Sequence, residues 1–197
     1  MEIDVKLLKE LREKTGIGIM ECKQALTETK CDITRAIEWL KRRGITLAEK
    51  KMDKKTTAGR VGSYIHLNGK VGVLLELSCE TDFVANTEEF QQLLKDLCLQ
   101  VAAMSPKTIS RNELPKEVIE KEKEYYRQEV KDKPAGVVDK IVEGKLEKFF
   151  YSQQCLLDQA FIKDETVKIG DLIKGKIAKF AENIAVQRFV RFEMGKN

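Results

Sequence analysis

The one histidine, His66, is where acid–base or nucleophilic chemistry would have to start. It stands in a stretch patterned as a β-strand, and no serine or cysteine motif accompanies it, so a structural or merely exposed imidazole is the better reading. A zinc-protease H-E-x-x-H is impossible with a single histidine, and neither G-x-S-x-G nor a phosphate-binding G-x-x-x-x-G-K-[ST] occurs. The turn Thr15-Gly16-Ile17-Gly18 is not a dinucleotide fingerprint: Glu21 stands where the third glycine belongs, and the turn follows a helix rather than a strand. The five cysteines, at 22, 31, 79, 98 and 155, are odd in number and lack C-x-x-C spacing. That argues against a disulfide framework and against a metal site, and for reduced thiols in a cytoplasmic protein. Carboxylates are plentiful, but on charged helices they are solvated partners of lysine rather than tuned acids. The expectation is a protein without an active site, metal or cofactor of its own.

One short segment remains unusual: Cys79-Glu80-Thr81-Asp82-Phe83-Val84-Ala85-Asn86. Thr81 or Asp82 can cap a following helix by accepting backbone N–H bonds. Phe83 would then sit at a helix start beside a polar turn. From pattern alone it reads as core; the alternative is an aromatic presented outward to enter a partner's pocket.

The elements that position this segment follow from periodicity. Residues 1–44 read as three short helices. Asp4 caps the first, with Leu7, Leu8 and Leu11 on one face. The second carries Met20, Ala25 and Leu26. The third is capped by Asp32, has Ile33, Ala36, Ile37 and Leu40 in phase, and stops at Gly44 after Lys41-Arg42-Arg43. Residues 45–58 are charged, lack a sustained apolar face and read as a linker with room for a helical start. Residues 59–197 form an α+β core. It opens on a β-hairpin around Asn68-Gly69: a two-residue loop would set Ile65 opposite Gly72 and Val61 opposite Glu76, and a three-residue loop with Gly69 left-handed, preferred because it matches apolar faces, would set Ile65 against Val71 and Val61 against Leu75. An amphipathic helix with Phe90, Leu93, Leu94, Leu97 and Val101 inward follows, ending near Ser105-Pro106. Then come a charged surface helix over 113–131, another over 135–150 and a third from Asp171. Ile184, Val186, Arg188, Val190, Phe192 and Met194 alternate in a final strand that completes a three-stranded antiparallel sheet packed with helices.

The 197 residues carry 36 Lys/Arg against 32 Asp/Glu, a surplus of +4. A dedicated nucleic-acid binder shows a larger surplus. The excess is concentrated in residues 1–60, which leaves an RNA-associated module as the competing reading; the absence of aromatics interleaved with the lysines counts against it. No apolar run is long enough to span a bilayer, and the amphipathic start MEIDVKLLKE is no signal peptide.

Two segments decide between these readings. CETDFVAN (79–86) and LREKTGIGIMECKQAL (11–26) resemble motifs of the bacterial translation elongation factor Ts family. VEGKLEKFF (142–150), CLLDQAFIKD (155–164) and the tail ENIAVQRFVRFEMG (182–195) are similar to that family too. The resemblance implies a ubiquitin-associated-like three-helix module, a linker and an α+β core. It also implies a non-catalytic guanine-nucleotide exchange factor for elongation factor Tu in its GDP-bound and nucleotide-free states. The family's T-D-F-V segment carries over to Thr81, Asp82, Phe83 and Val84, with the phenylalanine wedging into the GTPase and dislodging the groups that hold its Mg²⁺. The first module is implied to dock around the second helix and its Gly-containing turn. The chain resembles the short, single-core form, for which a homodimer would supply a missing half, with strand 184–194 as a candidate pairing edge.

Overall fold

The computed structural model describes residues 4–131 and 133–196, and of residues 41, 45–47, 49 and 135 it describes the backbone alone. The first three residues of the amphipathic start lie outside the described part. The class is α+β as expected, with a three-stranded antiparallel sheet. The chain divides into two compact units: Met1–Arg60, Leu77–Phe90 and Asp171–Ala185 make the first, and Val61–Glu76, Gln91–Gly170 and Val186–Asn197 the second.

In the first unit, α1 (Val5–Thr15) is capped by the Asp4 carboxylate, which accepts the Lys6 N–H at 2.8 Å. Gly16 ends it at φ +65°, a left-handed conformation that costs glycine little. α2 (Ile19–Glu28) follows, and α3 (Ile33–Lys51) starts at Asp32, whose carboxylate accepts the Arg35 N–H at 3.0 Å. Leu11, Cys22, Ala25, Leu26, Ala36 and Leu40 form the small shared core, flanked by Leu7, Leu8, Ile33 and Ile37. The expected stop at Gly44 is wrong, because α3 continues through it to Lys51. Gly44 serves packing instead: a Cβ there would lie 3.0 Å from the Ala178 Cβ of the helix Ile169–Phe180. The glycine permits close approach of two helices where the sequence suggested a terminus.

Two strands, β1 (Ala58–Ile65) and β2 (Val71–Cys79), form the hairpin, and Gly69 is left-handed at φ +67° as expected. The preferred register is not found, and the two-residue-loop alternative is. His66 N–H donates to the Val71 carbonyl at 2.9 Å, which places Ile65 across from Gly72 rather than Val71. A Cβ on Gly72 would stand 3.0 Å from Ile65 Cδ1. The physical reason lies in which face is buried. Val61 and Ile65 are 67% and 65% exposed, while Val73 and Leu75 point inward. On the inward face β1 offers Gly62, where any Cβ would fall 2.5 Å from Leu94 Cγ. Matching apolar residues across the hairpin therefore paired the wrong faces.

Two helices follow the hairpin, α4 (Asp82–Ala85) and α5 (Glu88–Met104), and α5 buries Phe90, Leu93, Leu94, Leu97 and Val101 as its pattern predicts. The charged helix is α6 (Lys116–Glu129). It packs with α7 (Ala135–Lys145), a π-helical turn (Leu146–Tyr151) and a single α-turn, α8 (Ser152–Gln154), around Tyr126, Val142, Leu146 and Phe150. Arg111 locks this lobe: its guanidinium bonds Asp158 at 2.9 Å and Glu147 at 2.7 Å and covers the Tyr151 ring at 4.3 Å. These carboxylates, Asp158 first, push its pKa still higher.

No sequence pattern marks the small two-stranded sheet of β3 (Ala160–Phe161) with β4 (Asp164–Lys168). It is held by the buried Gln100 side chain, which donates to Gln159 Oε1 and the Ala160 carbonyl and accepts the Ile162 N–H at 2.9 Å. α9 (Ile169–Phe180) and β5 (Ile184–Glu193) complete the chain. The main sheet has the order β1-β2-β5, so β5 is an edge. Its alternation breaks at Arg188: Ile184 and Val186 are buried, but Val190 and Phe192 are exposed. No described helix is long and apolar enough to cross a membrane.

Candidate functional site

The segment between β2 and α5 is built from its cap outward. Thr81 has extended backbone (φ −132°, ψ 153°), and its hydroxyl oxygen accepts the Val84 N–H, so Thr81 rather than Asp82 is the cap of α4. One turn of helix is too short to hold itself in water. Its neighbours hold it. Val84 is 4% exposed and Ala85 is buried, which anchors the inner side of the turn. The Arg60 guanidinium reaches from β1 to the Ala85 carbonyl at 2.9 Å and to the Asn86 side chain.

With the inner side anchored, the opposite side faces solvent. Phe83 is 83% exposed, an aromatic ring standing clear at the start of the helix. Leaving a phenyl ring in water forgoes about 1.5–3 kcal/mol of burial. Asp82 and Thr81 are exposed beside it. Of the four residues singled out from sequence, three therefore lie on the surface, and the fourth, Val84, is their anchor.

Sequence reasoning missed the residues behind this surface. Glu182 accepts the Thr81 N–H at 3.1 Å and the Thr81 hydroxyl at 2.7 Å. Glu80 accepts the Asn183 N–H at 2.7 Å, and the Lys54 ammonium lies 3.3 Å from its other oxygen. The Asn183 N–H, followed by Lys54, holds the Glu80 carboxyl below the usual carboxylate range. Nothing in local spacing announces a pairing over 101 residues; the only signal was that Glu182 and Asn183 open the tail motif ENIAVQRFVRFEMG.

Of the five free cysteines only Cys31 is half-exposed. Cys22, Cys79, Cys98 and Cys155 are buried, and burial pushes the Cys98 thiol up to about 11, away from a nucleophilic thiolate. The His66 ring nitrogen Nδ1 lies 3.1 Å from the Tyr64 hydroxyl on the hairpin surface. Among the described residues no group of three or more His, Cys, Asp or Glu side chains is placed to hold a metal.

The family model for "Elongation factor TS" matches residues 22–196. The chain belongs to the elongation factor Ts family. It is 53% identical over 196 residues to an elongation factor Ts of Thermotoga neapolitana, covering 100% of this chain and 99% of that one. It is 55% identical over 197 residues to one of Thermodesulfovibrio yellowstonii, covering 100% of this chain and 98% of the relative. A third, from Thermosipho melanesiensis, is 55% identical over 196 residues and is covered over its whole length. Membership of this family makes the chain a factor of translation elongation. The exposed ring thus belongs to the T-D-F-V stretch on which the family resemblance rests.

Proposed function

We propose that this factor is a non-catalytic guanine-nucleotide exchange factor acting in the cytoplasm on elongation factor Tu. It engages the GDP form through Thr81, Asp82 and Phe83, with Val84 fixing the turn from beneath. The observation that carries this reading is the Phe83 ring, 83% exposed yet mounted on an anchored turn. Inserted between elements of the GTPase, the ring regains its burial energy. That energy distorts the groups that hold the partner's Mg²⁺ and β-phosphate. Cation and loop N–H groups neutralise the diphosphate, so displacing them weakens GDP sharply. Coupling is reciprocal: a factor that weakens GDP is itself weakened by nucleotide and leaves when GTP binds. This chain needs no nucleotide, metal or cofactor for that work. Ile19 and Met20, exposed at the start of α2, make a second contact patch next to the glycine turn.

Release of labelled GDP from elongation factor Tu tests the reading. The protein accelerates it, and Phe83→Ala loses most of the acceleration, on the order of tenfold or more for a buried ring, with its thermal midpoint kept. Wild-type release by that variant removes Phe83 from the mechanism.

The homodimer is a further part of the proposal. In the second unit the outer sheet face exposes Val61, Ile65, Leu74, Val190, Phe192 and Met194 around the Glu76–Arg188 pair, whose nitrogen and oxygen are 2.7 Å apart. A second copy of the chain covers this face. An apolar field with one acid and one base at its centre is complementary to itself under a two-fold axis.

A further inference from the structure

Thr81 Oγ1 stands at the centre of a relay. Its one proton is given to Glu182 Oε1 at 2.7 Å, which leaves its lone pairs for the Val84 N–H at 3.5 Å. The second carboxylate oxygen of Glu182 takes the Thr81 N–H at 3.1 Å. Thus one carboxylate fixes both the backbone and the side-chain rotamer of the residue that caps α4. The next residue secures the strap on its other side. Asn183, which is buried, gives its N–H to Glu80 at 2.7 Å and its side-chain amide to the carbonyls of Met52 at 3.1 Å and Lys54 at 2.7 Å. The two residues immediately before Asp82-Phe83 are therefore held by two consecutive residues of the strand-bearing tail.

We infer that Glu182 is the positioning residue of the exchange contact: it touches no nucleotide and no partner, and acts by holding Thr81 so that α4 presents Phe83 already oriented. The inference rests on the exchange reading above. An unclamped turn of four residues samples many directions, and the partner would have to order it on binding at a cost in affinity. Charge-assisted hydrogen bonds are the stronger kind, and Glu182 supplies two of them to one residue.

The test measures labelled GDP release from elongation factor Tu over a range of factor concentrations, for Glu182→Ala, Thr81→Val, Thr81→Ser, Phe83→Ala and the Glu182→Ala/Phe83→Ala double variant. Glu182→Ala and Thr81→Val raise the concentration needed for half-maximal acceleration about tenfold. Thr81→Ser, which keeps both bonds of the hydroxyl, restores most of what Thr81→Val loses. In the Phe83→Ala background Glu182→Ala costs little more, because there is no ring left to aim; a merely structural role would cost the same in both backgrounds. Glu182→Ala behaving as wild type, or losing equally with and without Phe83, overturns the role of Glu182 even if Phe83→Ala is slow. Wild-type release by Phe83→Ala removes the ring from the mechanism and with it the role of Glu182, whereas an unaltered protein that does not accelerate release overturns the exchange reading itself.

Discussion

Phe83 and Glu80 illustrate how much a single side chain carries here. The ring is exposed, so truncating it removes little from the fold; Phe83→Ala should shift the thermal midpoint by no more than a surface substitution does, within about 0.5 kcal/mol, while exchange falls. Calorimetry beside the release assay checks both halves. Glu80 behaves oppositely. Its carboxyl titrates below its usual 4.5 because the Asn183 N–H and then Lys54 favour the ionised form. A carboxyl whose folded value is depressed stabilises the protein above its unfolded value and loses that contribution as pH falls through the folded one. Wild type should therefore exceed Glu80→Gln in stability at pH 6, and the difference should close below about pH 4.5. A difference that holds constant down to pH 3 would contradict this. At this scale the pattern marks the helix start through threonine and aspartate but misplaces Phe83 in the core, where the structure leaves it 83% exposed; only the family resemblance turns it outward. The sequence was unreadable for Glu80 and Glu182, whose partners are about a hundred residues distant and obey no local period.

Among the elements, those with a one-sided apolar stripe were legible. α1 buries Leu11 and packs Leu7 and Leu8 against the same core, and α2 and α5 bury the leucines their spacing assigns to it. The errors arose where glycine did something other than end an element. Gly44 read as a helix stop and is a helix crossing. Gly62 carried no signal, yet its missing side chain decides which hairpin face lies against α5. The β3–β4 pair was invisible because its support is Gln100, a polar residue inside an apolar helix face. Replacing Gln100 by Leu strands the Ile162 N–H and the Ala160 carbonyl, at about 1–3 kcal/mol for each unsatisfied group; chemical denaturation measures the loss. Gly59 gives a sharper case. Its φ is +147°, and a Cβ there would meet the Leu77 carbonyl oxygen at 2.3 Å, so Gly59→Ala should cost about 1–3 kcal/mol, with lowered stability in the same experiment.

For the whole molecule, the fold class and the family could be read from the chain, but the open sheet face could not. The tail strand alternated cleanly on paper, and only the change of phase at Arg188 turns Val190 and Phe192 outward. If a second copy covers that face, light scattering gives twice the 22.5 kDa of one chain, and Phe192→Glu returns it to a single mass; a particle of 22.5 kDa at every concentration excludes the dimer. The clamp on Thr81 has a consequence for how the protein is made. Ribosomes extend a chain from its N-terminus at about 5–20 residues per second. Thr81 is thus polymerised some 5–20 s before Glu182, 101 positions later. During that interval the nascent turn has its Arg60 contact but lacks the carboxylate that fixes its cap. A truncated product ending before Glu182 would carry Phe83 without its support, and so would compete weakly with finished copies for the GTPase.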